Sequence, residues 1–211
     1  MNLNEDLYKK LGEVKLLPLY TATDLQYLDD LEDILLQNHI YFIEVTFRSN
    51  LALEAIRKLS QSEKLIVGAG TVRTVEEAKN AIENGARFIV SPAVIPEVIE
   101  YCIDRKVPIL PGTATPTDIQ KVVSYGINVV KYFPADIYGG LKAIKALSGP
   151  FYDVKFLPTG GINPDNFIDY ISNDSILAVG GSFIISEEMI KEEGKEKTSK
   201  LLKSLMDKIK D

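Results

Sequence analysis

Short apolar runs rich in β-branched residues alternate with longer amphipathic stretches from one end of the chain to the other. The runs Lys15–Tyr20, Ile40–Thr46, Leu65–Gly70, Arg87–Ser91, Val107–Pro111, Asn128–Phe133, Val154–Thr159 and Ile176–Gly180 predict strands. Their nearly continuous apolar character suits a parallel sheet covered on both faces. Between them, Asp24–Asn38, Val75–Asn84, Pro96–Lys106 and Thr117–Tyr125 predict helices. Asn84-Gly85 and Tyr125-Gly126 put glycine where a helix C-terminus favours a left-handed residue. Eight strands in 211 residues give a βα unit of about 26 residues, which fits an α/β fold of the (β/α)8, or TIM-barrel, type. A doubly wound open sheet is the alternative topology.

No Pro/Ser-rich linker interrupts the rhythm, so residues 1–211 read as a single domain. Asn4–Leu11 predicts a short N-terminal helix covering the bottom of the barrel. Ser186–Asp211 predicts the last helix, with Leu201, Leu202, Leu205 and Ile209 forming its apolar stripe. The charged run at 191–197 reads as a surface segment that frays.

Charge and composition narrow the function. A net charge of -6 argues against a basic footprint for nucleic acid or an anionic membrane. The apolar runs are strand-sized, so no membrane span is expected. Met1-Asn2-Leu3-Asn4-Glu5-Asp6 lacks the positive and apolar regions of a signal peptide. A lone cysteine, Cys102, allows no internal disulfide framework, which suits the cytoplasm, and it reads as a small core residue. One histidine, His39 at a helix end, rules out a zinc site built from several His and Cys. No acidic cluster suggests a magnesium site, so no metal is expected.

In a barrel the chemistry gathers at the C-terminal ends of the strands. The most informative of these ends is Val129-Val130-Lys131-Tyr132-Phe133-Pro134, where a lysine interrupts a buried run. Ionised lysine is rarely buried without a partner, and removal from water favours the neutral amine. Two readings fit: a salt-bridged structural lysine, or a nucleophile that forms a Schiff base with a carbonyl. Strand alternation puts Glu44 on one face with Phe42 and Thr46, and Lys131 on one face with Val129 and Phe133. If both faces point inward, a carboxylate and an amine meet across the barrel mouth. Schiff-base chemistry needs that pairing of nucleophile and proton shuttle.

Other strand ends supply candidate anchors. Arg48, just past Glu44-Val45-Thr46-Phe47, is either a bidentate carboxylate clamp or a surface arginine at a helix start. Gly70 opens space and Thr71 offers a hydroxyl, while Pro92 follows the fourth strand. Gly68-Ala69-Gly70-Thr71-Val72-Arg73 is not a dinucleotide fingerprint, because Arg73 stands where the third glycine belongs. Thr159-Gly160-Gly161 and Gly180-Gly181-Ser182 end strands seven and eight. Each is either a tight turn or part of a phosphate cradle of backbone N–H groups, with Ser182 adding a hydroxyl.

Taken in order, Glu44-Val-Thr-Phe-Arg48, Val67-Gly-Ala-Gly-Thr71-Val, Pro111-Gly-Thr-Ala-Thr-Pro-Thr, Val130-Lys131-Tyr-Phe-Pro-Ala, Pro158-Thr-Gly-Gly-Ile and Val179-Gly-Gly-Ser182 resemble the 2-keto-3-deoxy-6-phosphogluconate / 4-hydroxy-2-oxoglutarate aldolase family. The resemblance implies a metal-independent, cofactor-free class I aldolase on a (β/α)8 barrel, a homotrimer, acting on a phosphorylated 2-keto acid. It implies that Lys131 forms the imine and that Glu44 moves protons. Arg48 and Thr71 would hold the pyruvate carboxylate beside Pro92, with Phe133 packed against the imine. Thr159, Gly160, Gly161, Gly180, Gly181 and Ser182 would surround the substrate phosphate.

Three positions depart from the family pattern. Tyr20 stands where many members carry a basic residue, Tyr132 where Phe or Leu is common, and Phe183 where several have tryptophan. They are expected to touch the mouth and the aldehyde side of the site, and so to bear on substrate identity. The expected products are pyruvate and glyceraldehyde 3-phosphate, with 4-hydroxy-2-oxoglutarate as a second substrate. Two alternatives remain: the same chemistry on a C4 epimer or another phosphorylated 2-keto-3-deoxy sugar acid, and a sugar-phosphate-binding barrel without catalysis.

Overall fold

Leu17 and Leu19 point into the centre of a ring of parallel strands, while Leu16 and Tyr20 point out toward the helices. This two-residue alternation recurs around the ring in a computed structural model that describes residues 3–210. The strands are β1 (Leu16–Tyr20), β2 (Phe42–Thr46), β3 (Ile66–Gly70), β4 (Phe88–Val90), β5, β6 (Val129–Tyr132), β7 (Lys155–Pro158) and β8 (Val179–Gly181). β5 is split into Ile109–Leu110 and Gly112–Thr113 around Pro111. Its first half pairs with β4 and its second with β6. The seam from β7 to β8 is closed by the bridges Phe156–Ile176 and Thr159–Gly180. β8 returns to β1 in the register Leu17–Gly180, which completes the barrel.

Each strand is followed by a helix: α2 (Leu28–Gln37), α3 (Ala52–Gln61), α4 (Val75–Glu83), α5 (Pro96–Asp104), α6 (Pro116–Val123), α7 (Gly140–Leu147), α8 (Phe167–Ile171) and α9 (Glu187–Lys210). Two of these helices start where the sequence signals them. Thr74 with Glu77, and Thr115 with Asp118, form reciprocal capping boxes, so α4 and α6 begin directly after a strand-end loop. α1 (Leu3–Val14) precedes the ring and closes its bottom. Leu7 and Leu11, one helical turn apart, enter the interior layer with Leu17, Phe42, Phe88, Leu110 and Leu157. Truncating the fully buried Leu11 to alanine would cost about 2–5 kcal/mol.

The expected strands and the N-terminal helix lie where the sequence places them, with two differences. The fifth strand runs past Pro111 to Thr113, because proline forfeits one ladder donor without ending the strand. The last helix breaks at Gly194 (φ 74°, ψ 166°), inside the charged run at 191–197. Met1, Asn2 and Asp211, the ends of the expected 1–211 domain and of the last helix, lie outside the described residues. Cys102 is fully buried in α5, and burial pushes its thiol up to about 12. His39 sits just past α2 in the left-handed region (φ 59°), a helix-terminus residue. Among the described residues, no helix is long and apolar enough to cross a membrane.

Candidate active site

The interior alternation of β2 and β6 brings Glu44 and Lys131 together. Lys131 Nζ lies 3.7 Å from Glu44 Oε1, with Glu44 fully buried and Lys131 4% exposed. That separation is an ion-pair contact longer than a hydrogen bond, and neither Glu44 oxygen has a hydrogen-bond partner. A buried carboxylate beside an amine at the mouth of a barrel has the chemistry to exchange protons with it. Burial raises the Glu44 carboxyl above its ordinary range, while the charges of Lys131 and Arg48 pull the other way. Desolvation dominates, which places this carboxyl among groups suited to exchanging protons.

The backbone of Lys131 is fixed on the β5 side. Its N–H donates to Pro111 O at 3.0 Å, and its carbonyl accepts from the buried Thr113 hydroxyl at 3.0 Å. Above the amine, the Phe133 ring centroid lies 5.0 Å from Nζ. Gly112 is in register with Lys131, and a Cβ there would stand 2.4 Å from the Pro92 carbonyl. The absence of a side chain at Gly112 thus lets the half-buried Pro92 approach the strand that carries the amine's neighbour.

Beyond the end of β2, the exposed Arg48 donates from Nε to Thr71 Oγ1 at 3.5 Å. Thr71 takes the left-handed backbone region (φ 59°), a costly conformation for a β-branched residue directly after β3. Among the described residues, this is the one side-chain hydrogen bond that Arg48 makes, so its terminal nitrogens can take an anion. Behind it, the buried Thr46 shares a 2.7 Å hydrogen bond between hydroxyls with Thr21. Thr46 belongs to the same strand face as Glu44, so period-two counting along β2 already points to it.

The glycine cluster forms where β7 and β8 meet. Thr159 is bridged to Gly180, and a Cβ on Gly180 would fall 2.6 Å from Thr159 Oγ1. The Thr159 hydroxyl is buried without a partner. Gly160 (φ 93°) and Gly161 (φ 75°) follow in the left-handed region that glycine alone adopts cheaply. Among the described residues, the amides of Gly160, Gly161 and Ser182 donate to no protein acceptor. These N–H groups lie in one strand-end cluster with the exposed Ser182. Gly181 has the Phe183 ring against it, where a Cβ would be 2.5 Å from Cδ1.

Of the three departures from the expected pattern, Tyr20 and Tyr132 turn their rings away from the barrel interior, while the Phe183 ring stays against Gly181 on the side of the glycine cluster. Tyr20 and Tyr132 lie one residue away from inward-facing Leu19 and Lys131, so both point outward into the layer between strands and helices. Tyr20 donates its hydroxyl to Glu187 at 3.3 Å, and Tyr132 donates to Tyr138 O at 2.7 Å. Phe183 packs against the same layer, 6.0 Å from Phe167 between ring centroids. Strand parity, which identified Glu44 and Lys131, also dictates the outward direction of Tyr20 and Tyr132.

Known proteins resemble this chain over most of its length. The family described as KDPG and KHG aldolase matches residues 7–201. The 2-dehydro-3-deoxy-phosphogluconate aldolase of Treponema pallidum (strain Nichols) is 39% identical over 185 residues, 87% of this chain and 88% of the relative. The KDPG aldolase of Legionella pneumophila, solved with pyruvate captured at low pH as a covalent carbinolamine intermediate, superposes with a TM-score of 0.90. It is 32% identical, and the match covers 94% of this chain and 97% of that one. The 2-keto-3-deoxy-6-phosphogluconate aldolase of Zymomonas mobilis ZM4, solved with 3-phosphoglycerate, also gives a TM-score of 0.90, at 31% identity and 96% coverage of both chains.

Proposed function

The chain belongs to the KDPG and KHG aldolase family, and we propose that it cleaves 2-dehydro-3-deoxy-6-phosphogluconate to pyruvate and glyceraldehyde 3-phosphate by class I, Schiff-base chemistry. The carrying observation is the buried Lys131–Glu44 contact, in which the carboxylate has no other partner. A salt bridge kept for stability alone would be a poor use of two desolvated charges. A nucleophile beside a proton carrier is what imine formation requires.

In this reading the Lys131 amine attacks the C2 keto carbon. Glu44 supplies and withdraws the protons that turn the carbinolamine into an imine with loss of water. Glu44 then takes the C4 hydroxyl proton. The C3–C4 bond breaks, its electrons flow into the protonated imine, and the aldehyde leaves. The remaining enamine is protonated at C3, and water returns the imine to pyruvate and free lysine. Arg48 and Thr71 hold the carboxylate, Pro92 lines that end, and Phe133 packs beside the imine. Thr159, Gly160, Gly161, Gly180, Gly181 and Ser182 receive the phosphate. 4-Hydroxy-2-oxoglutarate, which would give pyruvate and glyoxylate, fits the same carboxylate and imine groups.

A homotrimer in the cytoplasm, with one catalytic domain across residues 1–211, is the assembly assigned with this activity; light scattering after gel filtration checks the trimer. The chemistry is tested by borohydride reduction in the presence of pyruvate. The expected result is a mass adduct on Lys131, lost in Lys131→Met together with cleavage. An unmodified wild-type protein that still binds pyruvate would remove the imine mechanism.

A further inference from the structure

One carboxylate outside the proposed chemistry is tied down more firmly than any of the groups assigned to it. Glu187, the first residue of α9, accepts from the Thr23 N–H at 2.8 Å, the Asp24 N–H at 3.1 Å and the Tyr20 hydroxyl at 3.3 Å. The Thr23 hydroxyl donates to its other oxygen. These donors lie more than 160 residues away in sequence, at the end of β1 and on the loop that follows it. Glu187 itself follows the Gly180-Gly181-Ser182 turn by five residues, on the segment leaving β8. The carboxylate thus joins the two loops on either side of the β1–β8 seam.

The β1 loop is anchored on its other flank as well. Thr21 shares its hydroxyl hydrogen bond with Thr46 on the Glu44 strand, and Ser49 donates to Ala22 O. Beside this loop lies a cavity of about 250 Å³ whose polar lining is Thr21, Thr23, Ser182, Ser186, Glu187 and Glu188. Ser182 belongs at once to this cavity and to the glycine cluster. Thr21 and Thr23, which line the cavity together with Ser182, belong to the loop that Glu187 clamps.

We infer that Glu187 is a positioning residue: by holding the Thr21–Asp24 loop against the Ser182 turn, it shapes the end of the site that receives the phosphorylated, aldehyde-side half of the substrate. The inference rests on the proposed aldolase reading. Glu187 itself does not bind the phosphate. A carboxylate would repel it, and its oxygens are already committed to four donors. It acts through the loop it clamps. The imine half, on β2 and β6, is built from residues that make no hydrogen bond with Glu187, and it meets the clamped loop through the Thr21–Thr46 hydroxyl pair beside Glu44.

This division of labour predicts an asymmetric kinetic effect. Glu187→Ala removes every bond of the clamp. Glu187→Gln keeps the volume and part of the accepting capacity. Hydrogen bonds to a charged group are among the stronger ones, and a loop freed by their loss must be ordered again each time the substrate binds, which lowers affinity. In Glu187→Ala, KM for 2-dehydro-3-deoxy-6-phosphogluconate should rise roughly tenfold or more, with kcat within about threefold of wild type. KM for 4-hydroxy-2-oxoglutarate, which carries no phosphate, should stay within about twofold, as should the pyruvate dependence of borohydride trapping at Lys131. Glu187→Gln should recover part of the lost affinity. Thr23→Val, which keeps Glu187 and removes one donor, should shift KM the same way by less.

Equal losses on both substrates and in pyruvate trapping would show a role in general stability and overturn the inference. So would an unchanged KM for the phosphorylated substrate in Glu187→Ala. Failure of the underlying reading looks different, since the wild-type protein itself would then give neither the Lys131 adduct nor cleavage, and both conclusions would fall.

Discussion

Gly70 and Glu44 occupy one space: a Cβ on Gly70 would lie 2.0 Å from Glu44 Oε1 and 2.6 Å from its carboxyl carbon. The two residues are near neighbours on paired strands, with Thr46 in register with Gly70 and Glu44 with Gly68. The glycine is therefore a condition of the proton carrier's placement.

Gly70→Ala should displace the Glu44 carboxylate from Lys131 while leaving the barrel folded. General acid–base groups contribute about 100-fold or more to rate, so kcat for cleavage should fall by about that factor. Circular dichroism should show a native spectrum with a lowered melting temperature. Near-wild-type turnover in a folded Gly70→Ala protein would mean that Glu44 does not need this position.

Much of this arrangement was legible from strand parity alone. Alternation placed Glu44 and Lys131 on interior faces, and the eight-fold rhythm put both at the catalytic end of a barrel. The same alternation sent Tyr20 and Tyr132 outward, which comparison of motifs alone had obscured. What local pattern could not supply was pairing across the chain. Glu187 reads as an ordinary acidic residue in a helix's first turn until the fold brings residues 20–24 to it. The extension of the fifth strand to Thr113 was hidden for another reason. Pro111 is a strand breaker by composition, yet its carbonyl still accepts from Lys131 N–H. The break at Gly194 lay within a charged run whose helical pattern continues on both sides.

The raised Glu44 carboxyl has a consequence for pH. Its ordinary value is 4.5, and burial moves the folded-state value upward from there. Between those two values the folded protein keeps a proton that the unfolded chain has released, so the native state binds more protons. Stability then falls as pH rises through this window, by at most about 1.4 kcal/mol per pH unit for one site. Below the window both states are protonated and the contribution is constant. Denaturation of wild type and Glu44→Gln from pH 4 upward should show a difference that slopes in this sense and flattens above the window. The acidic limb of kcat/KM should likewise stand above the ordinary carboxylate range, because the ionised form is the base and this limb reports the free enzyme. Parallel stability curves for the two proteins would contradict the raised value.

Arg48 should contribute through its fork geometry. It is exposed and held near the site by one long hydrogen bond to Thr71. Arg48→Lys preserves the charge but not the bidentate grip on a carboxylate. The pyruvate concentration needed for half-maximal borohydride trapping should rise about tenfold, which is about 1.4 kcal/mol, with the melting temperature unchanged. An unchanged pyruvate dependence would assign the carboxylate to other donors.

Gly161 offers a test at the other end of the substrate. Its φ of 75° disfavours any side chain, and a Cβ would lie 2.3 Å from the Asp136 side chain. Gly161→Ala must therefore move the turn whose amides lie in one cluster with Ser182. The strain should lower stability by about 1–3 kcal/mol, read from denaturant midpoints. The displaced amides should weaken binding of a phosphate but leave the carboxylate and imine groups in place. KM for 2-dehydro-3-deoxy-6-phosphogluconate should thus rise at least about tenfold, while 4-hydroxy-2-oxoglutarate is cleaved with a KM close to wild type. Stability loss alone would reduce the amount of active protein and so lower the apparent kcat for both substrates equally. Selective loss on the phosphorylated substrate separates a phosphate cradle from an ordinary tight turn, and equal loss on both would return Gly160-Gly161 to the role of a turn.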